Sequence, residues 1–213
     1  MIIAFDSAST DLSVALAAPD GGLVADDAWR SDARQGHDLL PRLLVLLERG
    51  GVAWEQVAAT AVGIGPGSFT GLRVGMGLAK GLALALGRPI VGVPSLDAWL
   101  DADPLARAAV ARAGAREAYV LLRGEPEPRV VDRDFLPPGI ATDRVVAPAE
   151  LAAALALGGA VSPVGGAAAI ARRAAQRLAT DPAGDDLARL EPAYLRAPRG
   201  LHQISDAEIV RWP

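Results

Sequence analysis

The chain has 213 residues, 51% hydrophobic and 22% charged, a globular composition with enough core for one large domain or two small ones. Zero cysteines exclude disulfides, cysteine-ligated zinc, iron–sulfur clusters and thiol catalysis together. Net charge is −4 and the pI about 5.2, against stand-alone nucleic-acid binding; with no basic signal region at the start and no apolar run near the ~20 residues of a membrane helix, a cytoplasmic protein without membrane contact is expected.

Residues 2–5 read as a short buried strand ending at Asp6, and residues 12–16 alternate as a half-buried strand does. Pro19-Asp20-Gly21-Gly22 turns the chain into a third strand over 23–29, completing an antiparallel meander. The period then changes. Residues 38–50 predict a helix capped by Asp38, with Pro41 in its first turn and Gly50-Gly51 closing it. Leucines at 39, 40, 43, 44, 46 and 47 cover more than one stripe, so this helix needs neighbours on two sides. A strand over 57–64, a glycine-rich loop, a helix over 70–86 and a strand over 90–93 follow. That order fits the ribonuclease-H-like core of the actin, hexokinase and Hsp70 group. Beyond residue 98 the pattern predicts an alanine-rich helix over 102–113 and a hairpin of 119–123 with 129–132. Helices over 148–157 and 167–178 flank a short strand over 160–164; a loop over 181–186 and a last short helix over 205–210 follow. No internal repeat and no long linker is visible.

The stretch from Gly63 to Gly77 resembles a phosphate cradle without its chemistry. An ATPase-type loop needs Lys and then Ser or Thr after its last glycine, where this chain has Leu72 after Gly71. A dinucleotide fingerprint fails at its third glycine, where Ser68 stands after Gly63 and Gly65. The helix that follows carries Gly71, Gly75, Gly77 and Gly81, each costing roughly 0.8–1 kcal/mol relative to alanine, about 3–4 kcal/mol in all. Close approach by another element must offset that. Gly71, Gly75, Ala79 and Ala83 form one flat ridge; Gly77, Gly81 and Ala85 form the next. Either the ridges pack on the leucine-rich first helix, or both helices also meet a partner protein.

Asp6, with Ser7, Ser9 and Thr10, reads either as a phosphate or metal contact or as a strand-end carboxylate whose neighbours satisfy turn amides, the second being the simpler. His37 and His202 have no partner at metal-ligand spacing, so His37 reads as a polar or partner contact at the helix entrance. Ser68 and Thr70 are natural helix caps, with no base in view to make a nucleophile of either. Asp26-Asp27, Asp101 with Asp103, and Asp185-Asp186 read as solvated charge.

Gly65-Pro66-Gly67-Ser68-Phe69-Thr70-Gly71-Leu72-Arg73-Val74-Gly75 resembles the signature of the TsaB (YeaZ-type) family of bacterial tRNA modification. Further pieces of that pattern stand in order: Ala4 to Ala8, His37-Asp38-Leu39-Leu40-Pro41, Lys80-Gly81-Leu82-Ala83, Gly92-Val93-Pro94-Ser95-Leu96, and the late Glu191-Pro192-Ala193-Tyr194-Leu195-Arg196. The likeness is dense over 1–100 and sparse afterwards. It implies an α/β, actin-like (ASKHA, ribonuclease-H-like) fold with subdomains over 1–100 and 101–213, the second reduced. It implies a noncatalytic subunit working with TsaD and the ATPase TsaE in threonylcarbamoylation of the adenosine beside the anticodon, in tRNAs reading codons that begin with A. Contact with TsaD would run through helices 37–50 and 70–86, with His37, Leu40, Leu43, Leu44, Leu47, Gly71, Val74, Gly75, Leu78 and Leu82 as interface residues. The resemblance further implies a homodimer when alone, tRNA met only through the complex, no cofactor bound by this chain alone, and ATP at the level of the complex.

The catalytic sibling's two metal-binding histidines align at about Ser95 and Trp99, neither a good ligand for a hard metal. One segment departs from the family pattern: Arg112-Ala113-Gly114 replaces an Asp-Ala-Arg run before Glu117-Ala118-Tyr119. The competing readings are a small-molecule kinase or ATPase of the actin-like class, and a peptidase of the glycoprotease superfamily.

Overall fold

The computed structural model describes residues 1–31 and 35–193, the side chain of Gln35 excepted. The expected helix over 205–210, His202 and the end of the 191–196 motif lie outside the described residues.

The first sheet contains β1 (Ile2–Asp6), β2 (Asp11–Ala17), β3 (Leu23–Arg30), β4 (Ala59–Gly63) and β5 (Ile90–Val93), in the order β3-β2-β1-β4-β5. The meander is antiparallel, whereas β4 and β5 join β1 in parallel through the crossover helices α1 (Gln35–Gly50) and α2 (Phe69–Leu86). Where the sequence predicts a half-buried β2, all seven of its residues are buried. Its alternation separates large from small side chains, not core from solvent. Leu12, Val14 and Leu16 face α1 and α2, while Ala15 and Ala17 join Ala4, Ala59 and Ala61 against another helix.

That other helix is α5 (Gly166–Thr180), from the far end of the chain. Its Ala167, Ala169, Ile170, Ala171, Ala174 and Ala175 face the alanine side of the sheet, small residues on both surfaces letting helix and strands approach closely. α3 (Ser95–Ala102), which follows β5, packs beside α5 and against the second sheet. The division near residue 100 therefore separates the sheets but not the helical layers, because each half lends its closing helix to the other.

The second sheet holds β6 (Ala108–Arg112), β7 (Glu117–Leu122), β8 (Arg129–Asp132), β9 (Val145–Val146) and β10 (Ala160–Val161), with α4 (Ala149–Ala154) between the last two. Its order, β8-β7-β6-β9-β10, repeats that of the first sheet, with the same antiparallel meander and two parallel additions. A repeat invisible in sequence is plain in topology, and it is the duplicated core of the actin-like α/β fold. The predicted hairpin is present, and the predicted helix over 102–113 is absent. Ala108 and Val110 face one core, Ala109 and Ala111 the other, so a strand covered on both sides overrides alanine's helical preference.

One boundary changes at α1. The helix begins at Gln35, which places Asp38 inside it instead of at its cap and leaves Pro41 in the helix body. The Asp38 carboxylate accepts hydrogen bonds from Trp29 Nε1 at 3.2 Å and Ser31 Oγ at 2.9 Å, tying β3 to α1. By length and composition α2 would serve as a membrane span, but its face of Gly71, Leu72, Gly75, Met76, Ala79 and Ala83 is buried within the fold.

Leu43 is fully buried beneath α1, whereas Leu44, one residue on, is 47% exposed. Leu43→Ala should cost about 2–5 kcal/mol of stability, and Leu44→Ala less than about 0.5 kcal/mol. Urea denaturation of the two variants checks this; equal losses would contradict the orientation of α1.

Candidate functional site

The glycine-rich loop bends around two backbone constraints. Gly65 has φ of +95°, a conformation strained for any residue with a Cβ. Ser95 secures it from both sides: its amide donates to the Gly65 carbonyl at 2.9 Å, and its Oγ accepts from the Gly65 amide at 3.1 Å. A Cβ on Gly67 would overlap the Ala8 carbonyl oxygen, which also accepts from the Ser68 amide at 2.7 Å. At this point the loop backbone rests directly on the β1–β2 turn, leaving no room for a side chain. Ser68 caps α2, its Oγ accepting from the Gly71 amide at 3.2 Å.

The same close approach continues along α2. A Cβ on Gly71 would meet the Ser7 carbonyl oxygen, and one on Gly75 would meet Ser7 Oγ; that hydroxyl donates to the Gly71 carbonyl at 2.8 Å. The glycine half of the first ridge therefore packs on the end of β1, while Ala79 and Ala83 share a core with β4 and the leucines of α1. The second ridge is different. A Cβ on Gly77 or Gly81 would meet nothing within 4 Å, and Ala85 is exposed beside them.

The ten interface residues expected from sequence thus divide. Leu43, Leu47, Gly71 and Gly75 are buried in the protein's own core. His37, Leu40 and Leu44 are exposed on α1, and Val74, Leu78 and Leu82 are half-buried on α2. Outside the expected set, Val45 is 44% exposed on α1, and Gly77 and Gly81 are exposed on α2. Their signal was present in the second ridge, but nothing in sequence told the inner ridge from the outer one. The outer faces of two adjoining helices together present leucine, valine and bare glycine.

Asp6 is the second feature. It is fully buried at the end of β1, where it accepts hydrogen bonds from Trp99 Nε1, from the Ala8 amide at 3.2 Å and, on the long side, from Ser95 Oγ at 3.4 Å. A Cβ on Gly63 or Gly166 would press into the carboxylate, so β4 and the start of α5 close the remaining sides. Burial raises its pKa from 3.8 to about 6, opposed by the hydrogen bonds from Trp99, Ala8 and Ser95. Ser95 and Trp99, the two positions where the resemblance places metal ligands, thus donate to the carboxylate itself. A serine hydroxyl and an indole suit no hard cation, and among the described residues no cluster of three or more His, Asp or Glu forms a metal site.

The acidic groups read as solvated charge are mostly paired. The Asp185 carboxylate accepts from the Gly92 amide at 2.7 Å and from Arg177 at 2.9 Å, pinning the segment after α5 to the edge strand β5. Burial pushes its pKa up, but Arg177 and the Gly92 amide outweigh that and leave it below the ordinary value. Asp103 pairs with Arg144, Asp101 with Arg173 and Asp27 with Arg42. Between the two sheets lies a cleft of about 550 Å³, walled by the β1–β2 turn, the start of α2 and the divergent Arg112-Ala113-Gly114 segment.

The family model for TsaD, tRNA N6-adenosine threonylcarbamoyltransferase, matches residues 9–125, more than half of the chain. The chain belongs to this family. Its relatives include proteins named TsaB and proteins named as the transferase. It is 38% identical over 95 residues to the tRNA threonylcarbamoyladenosine biosynthesis protein TsaB of Escherichia coli, a match covering 45% of this chain and 40% of that protein. It is 39% identical over 98 residues to the tRNA N6-adenosine threonylcarbamoyltransferase of Syntrophobacter fumaroxidans, covering 46% of this chain and 28% of the relative. The chain thus matches less than half the length of these curated relatives. The solved structure of YeaZ from Pseudomonas aeruginosa superposes with a TM-score of 0.66 at 25% identity, covering 91% of this chain and 99% of that one.

Two predictions follow from the geometry. Gly77→Ala should stabilise by up to about 1 kcal/mol, because helix propensity improves and the site is open, whereas Gly75→Ala should destabilise; opposite shifts in melting temperature check this. Because the folded pKa of Asp6 is raised, its contribution is fully favourable below about pH 4 and is lost as pH rises through about 6. Asp6→Asn should therefore gain about 2 kcal/mol relative to wild type between pH 4 and pH 7.5. Urea titrations at the two pH values measure this, and parallel behaviour of the two proteins would contradict it.

Proposed function

We propose that this chain is a noncatalytic subunit for tRNA threonylcarbamoyladenosine formation, pairing with a TsaD-type transferase through the outer faces of α1 and α2. The observation that carries the reading is the second glycine ridge. Gly77 and Gly81 leave α2 bare, Leu40, Leu44 and Val45 are exposed on the adjoining α1, and among the described residues no contact of these glycines accounts for their helix-propensity cost. A partner helix seated on that ridge would gain close dispersion contact along it.

The noncatalytic part rests on the Asp6 surroundings. Within a transferase family, Ser95 and Trp99 stand where the resemblance expects metal-binding histidines, and they hydrogen-bond a carboxylate that favours its protonated form below about pH 6. The glycine-rich loop, with Leu72 where an ATPase-type loop needs Lys, weighs against nucleotide binding by this chain alone, and so against the kinase or ATPase reading. In this proposal any ATP, TsaE and the tRNA are met at the level of the complex in the cytoplasm. The free chain forms a homodimer through the same face.

Gly77→Leu and Leu44→Arg change exposed positions and should leave the fold intact. Each should weaken co-purification with TsaD by at least about 30-fold, the cost of disturbing an interface hot spot. Folded variants that bind TsaD as wild type does would overturn the proposal.

A further inference from the structure

The cleft between the two sheets holds about 550 Å³, within the range of ~300–1,000 Å³ typical of small-molecule sites. Part of its lining is apolar: Leu72 from α2, Tyr119 from β7 and Leu151 from α4, with Phe69, 43% exposed, at the start of α2. The polar part lies where the β1–β2 turn meets α4. The Asp11 carboxylate accepts from the Ala149 amide at 3.4 Å, which brings the turn carrying Thr10 to the start of α4 and its Glu150.

Two groups of that polar lining have unused hydrogen-bonding capacity. Thr10 Oγ1 is buried with no hydrogen-bond partner, a state that native proteins seldom leave without a reason. Arg112, at the end of β6, carries N–H donors in a fixed fork, yet Glu150 stands 4.0 Å away, beyond hydrogen-bond reach. Glu150 is also 3.8 Å from Arg30. Among the described residues, two guanidinium groups therefore share one carboxylate, and a positive charge is left over beside the apolar lining.

We infer that this cleft binds a small monocarboxylate with an apolar body. The Arg112 fork takes the carboxylate, the pairing for which a guanidinium is best shaped, and the Thr10 hydroxyl donates to the same group. The body of the ligand rests on Phe69, Leu72, Tyr119 and Leu151. A phosphate ester suits the site less, because it brings about 1.5–2 negative charges against one spare positive charge. The same carboxylate chemistry is available from a free acid or from the C-terminus of a peptide. The inference is independent of the partner reading, since Thr10 and Arg112 lie outside α1 and α2.

Phenylacetate is the probe for a free acid and N-acetyl-leucyl-phenylalanine for a peptide end, with the corresponding amides as uncharged controls. Each is titrated into the ¹⁵N-labelled full chain, and the amide signals of Ala113, Gly114 and Ala115 in the cleft wall are followed. Saturable shifts with a Kd of about 1 mM are expected for the acids, as suits fragments of this size. The amides should bind at least about 10-fold more weakly, and the tighter acid identifies the source. Arg112→Gln should abolish the preference for acid over amide. Thr10→Val should weaken acid binding several-fold yet raise the melting temperature of the ligand-free protein, because it removes an unpaired hydroxyl. A hydroxyl with a merely structural role would lower that temperature, and this result would overturn the inference. So would the absence of shifts at about ten times the expected Kd, equal binding of acid and amide by the wild type, or an Arg112→Gln protein that still prefers the acid.

Discussion

The structure depends on how closely α2 and its preceding loop approach the end of β1. Gly67, Gly71 and Gly75 each touch main-chain or hydroxyl oxygen of Ser7 and Ala8, where a single Cβ would not fit. Helix propensity sacrificed at Gly71 and Gly75 is offset by contact that only bare backbone permits, with the Ser7 hydroxyl bonded to the helix. This packing orients α2, and so decides which ridge faces solvent. Gly77 and Gly81 incur the same propensity cost without such contact inside the chain, which makes the outer ridge the candidate docking surface.

Asp6 links that arrangement to the rest of the molecule. It lies at the meeting point of β1, β4, α3 and α5, so both halves of the chain contribute to its surroundings. Its carboxylate accepts from the Trp99 indole, the Ala8 amide and the Ser95 hydroxyl. The indole of Trp99 and the hydroxyl of Ser95 convert the position into a structural junction between the helical layers.

Much of the first half was legible in the sequence because its signals are local. The turn at Pro19 to Gly22, the stop at Gly87 and the cap at Ser68 each act within a few residues. What was not legible depended on distant segments. β2 is buried on both faces because α5, some 150 residues away, covers the side that alternation assigned to solvent. Residues 108–111 form a strand because two cores enclose them, and composition alone favours a helix there. The interface residues show the same limit: spacing revealed two ridges on α2 and a wide leucine face on α1, but the inner and outer members exchange places until the sheet is known. The internal repeat left no trace in sequence, since topology constrains the order of strands and not the identity of their residues.

The claim that the outer face of α1 and α2 serves both self-association and the transferase is tested most directly by sedimentation velocity of the free protein, then of its mixture with TsaD. The account predicts a homodimer that is replaced by a one-to-one heterodimer as TsaD is added. A homodimer that persists beside bound TsaD, or a free protein that stays monomeric and never associates with it, would contradict the account.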